Sequence, residues 1–433
     1  MSGLPSHTVF PADFLWGAAT SSHQVEEGCT NNNWFAFESA RDASGRPRVA
    51  GGQKAGDACL HWSRFRDDIG LLKEMELNAY RFSVEWSKIE PREGTWDESA
   101  LAHYEEVVDA LLDAGIVPMV TLHHFTNPLW FEESGGFLRP DSPDVLARFS
   151  RRVYERLADR VPYWCTINEP SVFAVNGYVT GEFPPAGHSM SDAGTVLGNM
   201  LRAHTRMYEA CKGYSASPQV GLATNIFIYA PARRLHPLDR IAARLAHRNM
   251  NEEILGYLVD GEMDFHFPFL VRMRLHAAPP GAFDFVGVNY YTRFHLRFSV
   301  NGTGHVTQAL RSGPERTTDM GWEIYPEGLL ESLRLVAART AKPIFITENG
   351  LADDTDVKRP AFFRDHLNAV CEALKRGMDV RGYFCWSLMD NFEWAHGYSK
   401  RFGLYHVDFG TQKRTLRKGS ETLRDFITRS RPG

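Results

Sequence analysis

The sequence predicts an α/β fold, a single (β/α)8 barrel of the TIM type running through residues 1–433 with long loops after its strands. Three observations predict it. Eight short runs rich in β-branched and aromatic residues end in polar or glycine-containing lips, helix-like stretches separate them, and no low-complexity linker or internal repeat divides the chain. With 433 residues, 43% of them hydrophobic, one large core is within reach.

In order, the candidate strands are Phe14–Thr20, Ala79–Trp86, Ile116–His123, Tyr163–Asn168, Gln219–Asn225, Phe283–Tyr291, Pro343–Glu348 and Val380–Met389. Leu60–Leu77 sets Phe65, Ile69, Leu72 and Met75 on one helical stripe. Ser99–Ala114, Pro143–Ala158, Val196–Lys212, Arg240–Val259, Pro326–Arg339 and Pro360–Arg376 read the same way, and a last candidate helix spans Lys418–Arg429. Such a barrel carries its site on the loops after the strands.

Composition narrows the partners. A net charge of −5 and a sequence pI of about 6.4 provide no basic face for nucleic acid or anionic membranes. Residues Met1–Phe10 lack the basic start and apolar stretch of a signal peptide, and no segment approaches a membrane span, so a cytoplasmic enzyme is expected. The six cysteines form no CxxC pair and read as free thiols. Asn301-Gly302-Thr303 matches a glycosylation sequon but reads as a turn. Aromatic content is 12%, with ten tryptophans, several beside acidic or amide residues. A large core explains most of them, but an indole face and a rim of carboxylates and amides also suit a sugar ring.

The strand lips gather Gln24, Arg81, His124, Asn168, Glu169, Asn289, Tyr291, Glu348, Trp386, Glu393 and Trp394. A lone glutamate after a strand is usually a surface or cap residue, and a lone Arg81 or His124 a satisfied structural side chain. Their convergence at one end of the predicted barrel changes that weighting. Glu169, in Thr166-Ile167-Asn168-Glu169-Pro170, and Glu348, in Ile346-Thr347-Glu348-Asn349-Gly350, end the fourth and seventh candidate strands. Two carboxyls in different environments can cleave a glycosidic bond: one stays protonated, the other ionised. Arg81 and Tyr291 suit the anion at Glu348. Loops Arg41–Gly56 and Thr292–Trp322 are long enough to wall a cleft on the leaving-group side.

Nearly the whole chain resembles glycoside hydrolase family 1, the retaining β-glucosidases and β-galactosidases. The resemblance rests on Phe14-Leu15-Trp16-Gly17-Ala18-Ala19-Thr20 with Gln24 and Glu26-Glu27-Gly28, Tyr80-Arg81-Phe82-Ser83, Thr166 to Pro170, Asn289-Tyr290-Tyr291, Thr347 to Gly350, and Trp386 to Trp394. It implies Glu169 as acid/base, Glu348 as nucleophile, Arg81 and Tyr291 as positioners of Glu348, and Asn168 on the hydroxyl beside the reacting carbon. Gln24, His124, Glu393 and Trp394 would hold other hydroxyls, Trp386 would floor the sugar subsite, and Trp322 would form the leaving-group platform. Asn289 and Phe402 join these contacts. Double displacement then needs carboxyls roughly 5 to 5.5 Å apart, against about 6.5 to 9.5 Å for inversion. No cofactor or metal is implied. The partners would be small β-glycosides or short oligosaccharides, with homo-oligomer formation left open.

Phe125 departs from the family pattern, which usually has a donor-bearing tryptophan after the histidine; glucose, galactose and fucose therefore stay open. A 6-phospho-β-glycosidase would need a cation where Glu393 stands. A catalytically inactive sugar-binding barrel would lack one of the glutamates, and both are present. A metal-dependent hydrolase finds no HExxH or strand-end HxH, and His123 and His124 point to opposite faces of a strand.

Overall fold

The computed structural model describes residues 10–268, 271–276, 279–299, 306–308 and 313–430. The sequon Asn301–Thr303 and most of the N-terminal stretch read above lie outside the described residues. All eight predicted strands form: β1 (Leu15–Ala19), β2 (Ala79–Ser83), β3 (Val117–His123), β4 (Tyr163–Asn168), β5 (Gln219–Asn225), β6 (Phe285–Tyr290), β7 (Ile344–Asn349) and β8 (Val380–Trp386). Each pairs in parallel with the next in sequence, and β8 returns to β1 to close the barrel. Closure leaves no open edge.

Helices cover the outside as the periodicity predicts. Ser142–Leu157 buries Val145, Leu146, Phe149, Val153 and Leu157, a repeat of three and four residues, and starts at Pro143, whose missing N–H costs nothing there. Glu98–Asp113 is capped by Asp97, whose side chain accepts from the N–H groups of Ser99 and Ala100. The predicted helix over Arg240–Val259 is divided: Pro237–His247 and Glu253–Asp260 flank a wider π turn, Arg248–Glu252. That turn carries Met250 toward the barrel mouth.

Two apolar layers result. One lies between strands and helices; the other fills the barrel, where Leu15, Met119, Phe285, Phe345 and Phe384 form a floor below the strand ends. All six cysteines are free and buried. Among the described residues no helix is long and apolar enough to cross a membrane.

Close approach explains two glycines. A Cβ on Gly350 would sit 1.9 Å from the Trp386 carbonyl oxygen, so the β7 lip meets β8 only without a side chain. At Gly221 in β5 a Cβ would lie 2.4 Å from the Phe285 carbonyl oxygen. Gly221→Ala should therefore destabilise the protein by about 1–3 kcal/mol through overpacking. Denaturant unfolding of the variant checks this, and an unchanged midpoint would mean that β5 and β6 separate freely.

Candidate active site

Irregularities in β4 and β7 set up the site. Pairing of β4 with β5 shifts register between Cys165 and Asn168, and pairing of β7 with β6 shifts between Ile346 and Glu348. Such irregularities re-aim side chains at barrel rims. Glu169 itself adopts φ 47° and ψ 63°, left-handed backbone rare outside glycine, with its N–H held by the Ala223 carbonyl at 2.8 Å. Pro170 then begins the helix Pro170–Val175.

Arg81 is the hub. Only 1% exposed, it donates to Glu348 Oε1 at 2.6 Å, Asn168 Oδ1 at 2.7 Å, Thr121 Oγ1 at 3.0 Å and the Thr347 carbonyl at 3.1 Å. The Tyr291 hydroxyl donates to Glu348 Oε2 at 2.6 Å. Both oxygens of Glu348 are thus gripped. Asn289 Nδ2 donates to Glu169 Oε1 and Asn168 Oδ1, each at 3.0 Å. A continuous chain therefore runs from Glu169 through Asn289, Asn168 and Arg81 to Glu348.

The two carboxyls differ in what opposes burial. Burial raises the pKa of Glu348 above the ordinary carboxylate value, and the Arg81 charge and hydrogen bonds from Tyr291, Arg81 and Asn289 limit that rise. Burial also raises Glu169, the negative charge of Glu348 adds to it, and the group is pushed up to about 8. Glu348 therefore ionises first. Glu169 keeps its proton near neutrality.

At the sugar end, burial and the Glu348 charge push Glu393 up to about 8, against hydrogen bonds from Gln24 and Trp386. Gln24 Nε2 donates to Glu393 Oε2 at 3.2 Å and to the Phe392 carbonyl at 2.8 Å. Asn168 Oδ1 already accepts from Arg81 and Asn289, which turns Nδ2 toward His124 Nε2, 3.2 Å away. Burial, and next the Arg81 charge, hold His124 neutral, so its proton belongs on Nδ1, which has no partner among the described residues. His123 instead bonds Asn127 Oδ1 at 2.8 Å and packs on Phe137 and Phe173.

A cavity of about 510 Å³ opens over these groups. Asn168, Glu169, His124, Tyr291, Glu348, Trp322, Trp386, Glu393, Trp394 and Phe402 line it, whereas Gln24, Arg81 and Asn289 stand behind that surface. Phe402, 1% exposed, lies behind Tyr291 and Trp322 at centroid distances of 6.2 and 6.3 Å. Phe125 lines the wall with φ 70° and packs on Trp394 and Phe183 at 5.3 and 5.4 Å.

The two predicted wall loops divide. The described ends of Thr292–Trp322 give the cavity Phe294, Met320 and Trp322. Arg41–Gly56 does not reach it: Gln53 Oε1 accepts from Tyr398 N at 2.8 Å and fills the space where a Cβ on Gly397 would go. This loop braces the turn Trp394–Ser399 from behind. Sequence reasoning missed Phe227, Tyr229 and Met250; aromatic residues just past the β5 lip were the available signal.

Residues 6–431 match the model of glycosyl hydrolase family 1. A 1,4-β-D-glucan glucohydrolase of Thermotoga neapolitana is 34% identical, covering 94% of this chain and 96% of that protein. A β-glycosidase from Pyrococcus horikoshii superposes with a TM-score of 0.88 at 39% identity, over 98% of this chain and 96% of its own. The β-glucosidase from Thermotoga maritima in complex with glucoimidazole gives the same TM-score at 31% identity, over 97% and 99%. The chain belongs to glycosyl hydrolase family 1 and is a hydrolase of the β-glycosidase type.

Tyr291→Phe removes the donor to Glu348 Oε2 and keeps the ring. We expect kcat/KM to fall by about 10²-fold or more. The acid limb of the pH profile should move upward, because a carboxylate that loses a donor ionises at higher pH. A variant with an unmoved acid limb would detach Tyr291 from the ionisation of Glu348.

Proposed function

We propose that the chain is a retaining β-glycosidase releasing terminal, non-reducing β-D-glucosyl residues, with galactosyl and fucosyl as the alternative sugars, and that it works as one catalytic domain in the cytoplasm. The observation that carries this reading is the opposed environment of Glu348 and Glu169: the first gripped by Arg81 and Tyr291, the second held protonated. In the first step an oxygen of Glu348 attacks the anomeric carbon, the bond to the leaving oxygen breaks, and that oxygen takes the Glu169 proton. In the second, water gives its proton to Glu169 and its oxygen to the anomeric carbon. The ester breaks, Glu348 returns to carboxylate, and the sugar leaves with its β configuration.

Retention is supported by membership of glycosyl hydrolase family 1 and by the placement of both carboxyls on one cavity. Asn168 would bind the hydroxyl next to the reacting carbon; His124, Glu393 and Trp394 the others, above Trp386, with Gln24 holding Glu393 from behind. Glucoimidazole, with which the Thermotoga maritima β-glucosidase forms a complex, is the matching probe. Glu393 argues for a free hydroxyl over a 6-phosphate, which would call for a cation there.

Glu348→Ala should abolish hydrolysis of chromogenic β-glucosides, and azide should restore turnover while giving the α-glycosyl azide. A β product would contradict an attack from the face that Glu348 occupies. In the wild type, Glu169 must be protonated to act, so kcat/KM should decline as pH rises through about 8. With a 2,4-dinitrophenyl leaving group, which departs without a proton, Glu169→Gln should keep glycosylation and lose that basic limb. A limb that persists in this variant would assign it elsewhere.

A further inference from the structure

The barrel order divides the cavity mouth into two arcs. β4 and β7, which end in the two glutamates, separate β8, β1, β2 and β3 from β5 and β6. The first arc delivers the hydrogen-bonding groups Glu393 and His124, with Gln24 behind Glu393. The second delivers mainly apolar surface: Phe227 and Tyr229 just after β5, Phe294, Met320 and Trp322 after β6, and Met250 from the π turn. Phe227 and Phe294 meet edge to face at 4.9 Å, and Tyr229 lies 6.1 Å from Phe294.

This wall is rigid. The backbone of Phe227 is clamped by Asn251, whose Nδ2 donates to the Phe227 carbonyl at 2.8 Å and whose Oδ1 accepts from its N–H at 3.4 Å. The strand Ile228–Pro231 pairs in parallel with Arg293–Phe298, fixing Tyr229 opposite Phe294. All three rings are only half-buried, their remaining surface open to the cavity. The Tyr229 hydroxyl is the one polar side-chain atom that these three rings carry. Among the described residues, the polar side chains nearest this arc are Ser171, Asn176, Thr180 and Glu182 on the lip after β4, of which Thr180 and Glu182 are exposed, with His396 lining the cavity after β8.

We propose that this second arc is an aglycone slot for a flat, apolar, aromatic leaving group, and that it selects arylalkyl glycosides over glycosides whose leaving group is another sugar. The proposal rests on the glycosidase reading above. A leaving sugar ring presents hydroxyls on every edge and needs a partner for each; these rings provide stacking surface and one hydroxyl, Tyr229. A leaving phenyl ring buries its faces against Phe227, Phe294 and Trp322 and leaves nothing unpaired.

The test compares leaving groups that are all unactivated alcohols, so intrinsic reactivity does not decide the order. kcat/KM is measured for 2-phenylethyl, octyl and methyl β-D-glucoside and for cellobiose, with wild type, Phe227→Ala and Phe294→Ala. We expect the 2-phenylethyl glucoside to exceed cellobiose by about tenfold or more, with octyl glucoside between them. Each alanine variant should lose about tenfold on the 2-phenylethyl substrate and less than about twofold on methyl glucoside, which does not reach the slot. Cellobiose turned over as well as the 2-phenylethyl glucoside, octyl glucoside preferred to it, or equal losses on both glucosides in the variants would overturn the slot while leaving a working glycosidase. Absence of turnover on every substrate would overturn the glycosidase reading and the slot together.

Discussion

One buried cation organises the catalytic end of this barrel. Arg81 is sealed from solvent, and a guanidinium there is tolerable only if its charge and its N–H groups are all answered. The answers come from three strands, Thr121 on β3, Asn168 on β4, and Thr347 and Glu348 on β7, while Arg81 itself stands on a fourth, β2. Staves distant in sequence are thereby locked to one another at the height where the chemistry occurs. Removing the guanidinium would leave Glu348 as an uncompensated buried charge, a loss of about 3–5 kcal/mol when one partner of a buried pair is deleted. Local order and the ionised state of Glu348 therefore have the same origin.

Asymmetry between the two glutamates follows from distance to that cation. Glu348 touches it; Glu169 reaches it only through two amides. Glu169 also bears local strain, since a non-glycine residue in left-handed backbone costs on the order of 1–3 kcal/mol. The surrounding sheet holds it there through the Ala223 carbonyl and the helix that Pro170 begins. Its backbone is fixed and its proton is retained near neutrality, which is what the acid role proposed for it requires.

Much of this was legible before any coordinates. The eight strands and both glutamates stood out because a parallel barrel needs continuous apolar runs and leaves polar residues only at their lips. The register shifts in β4 and β7 were not legible, because β-period patterning cannot show where pairing slips by one residue. Nor could sequence tell that Gln24, Arg81 and Asn289 stand behind the cavity surface, since depth depends on which neighbours cover a side chain. Arg41–Gly56 was read as a wall from its length, yet its work is to brace the turn after Glu393 through Gln53. Phe227 and Tyr229 were not singled out, because no pattern in the sequence marks a loop aromatic as facing a cavity.

The division of the mouth by β4 and β7 bears on how such an enzyme can diversify. Phe227, Tyr229, Phe294 and Met250 share no hydrogen bond with the chain from Glu169 to Glu348, so drift at these positions leaves the reaction intact. Trp322 is the exception, because its ring packs on Tyr291 at 5.4 Å. Lineages descended from this scaffold should therefore exchange the residues of one arc as a set while Trp322 stays behind, tethered through Tyr291 to Glu348.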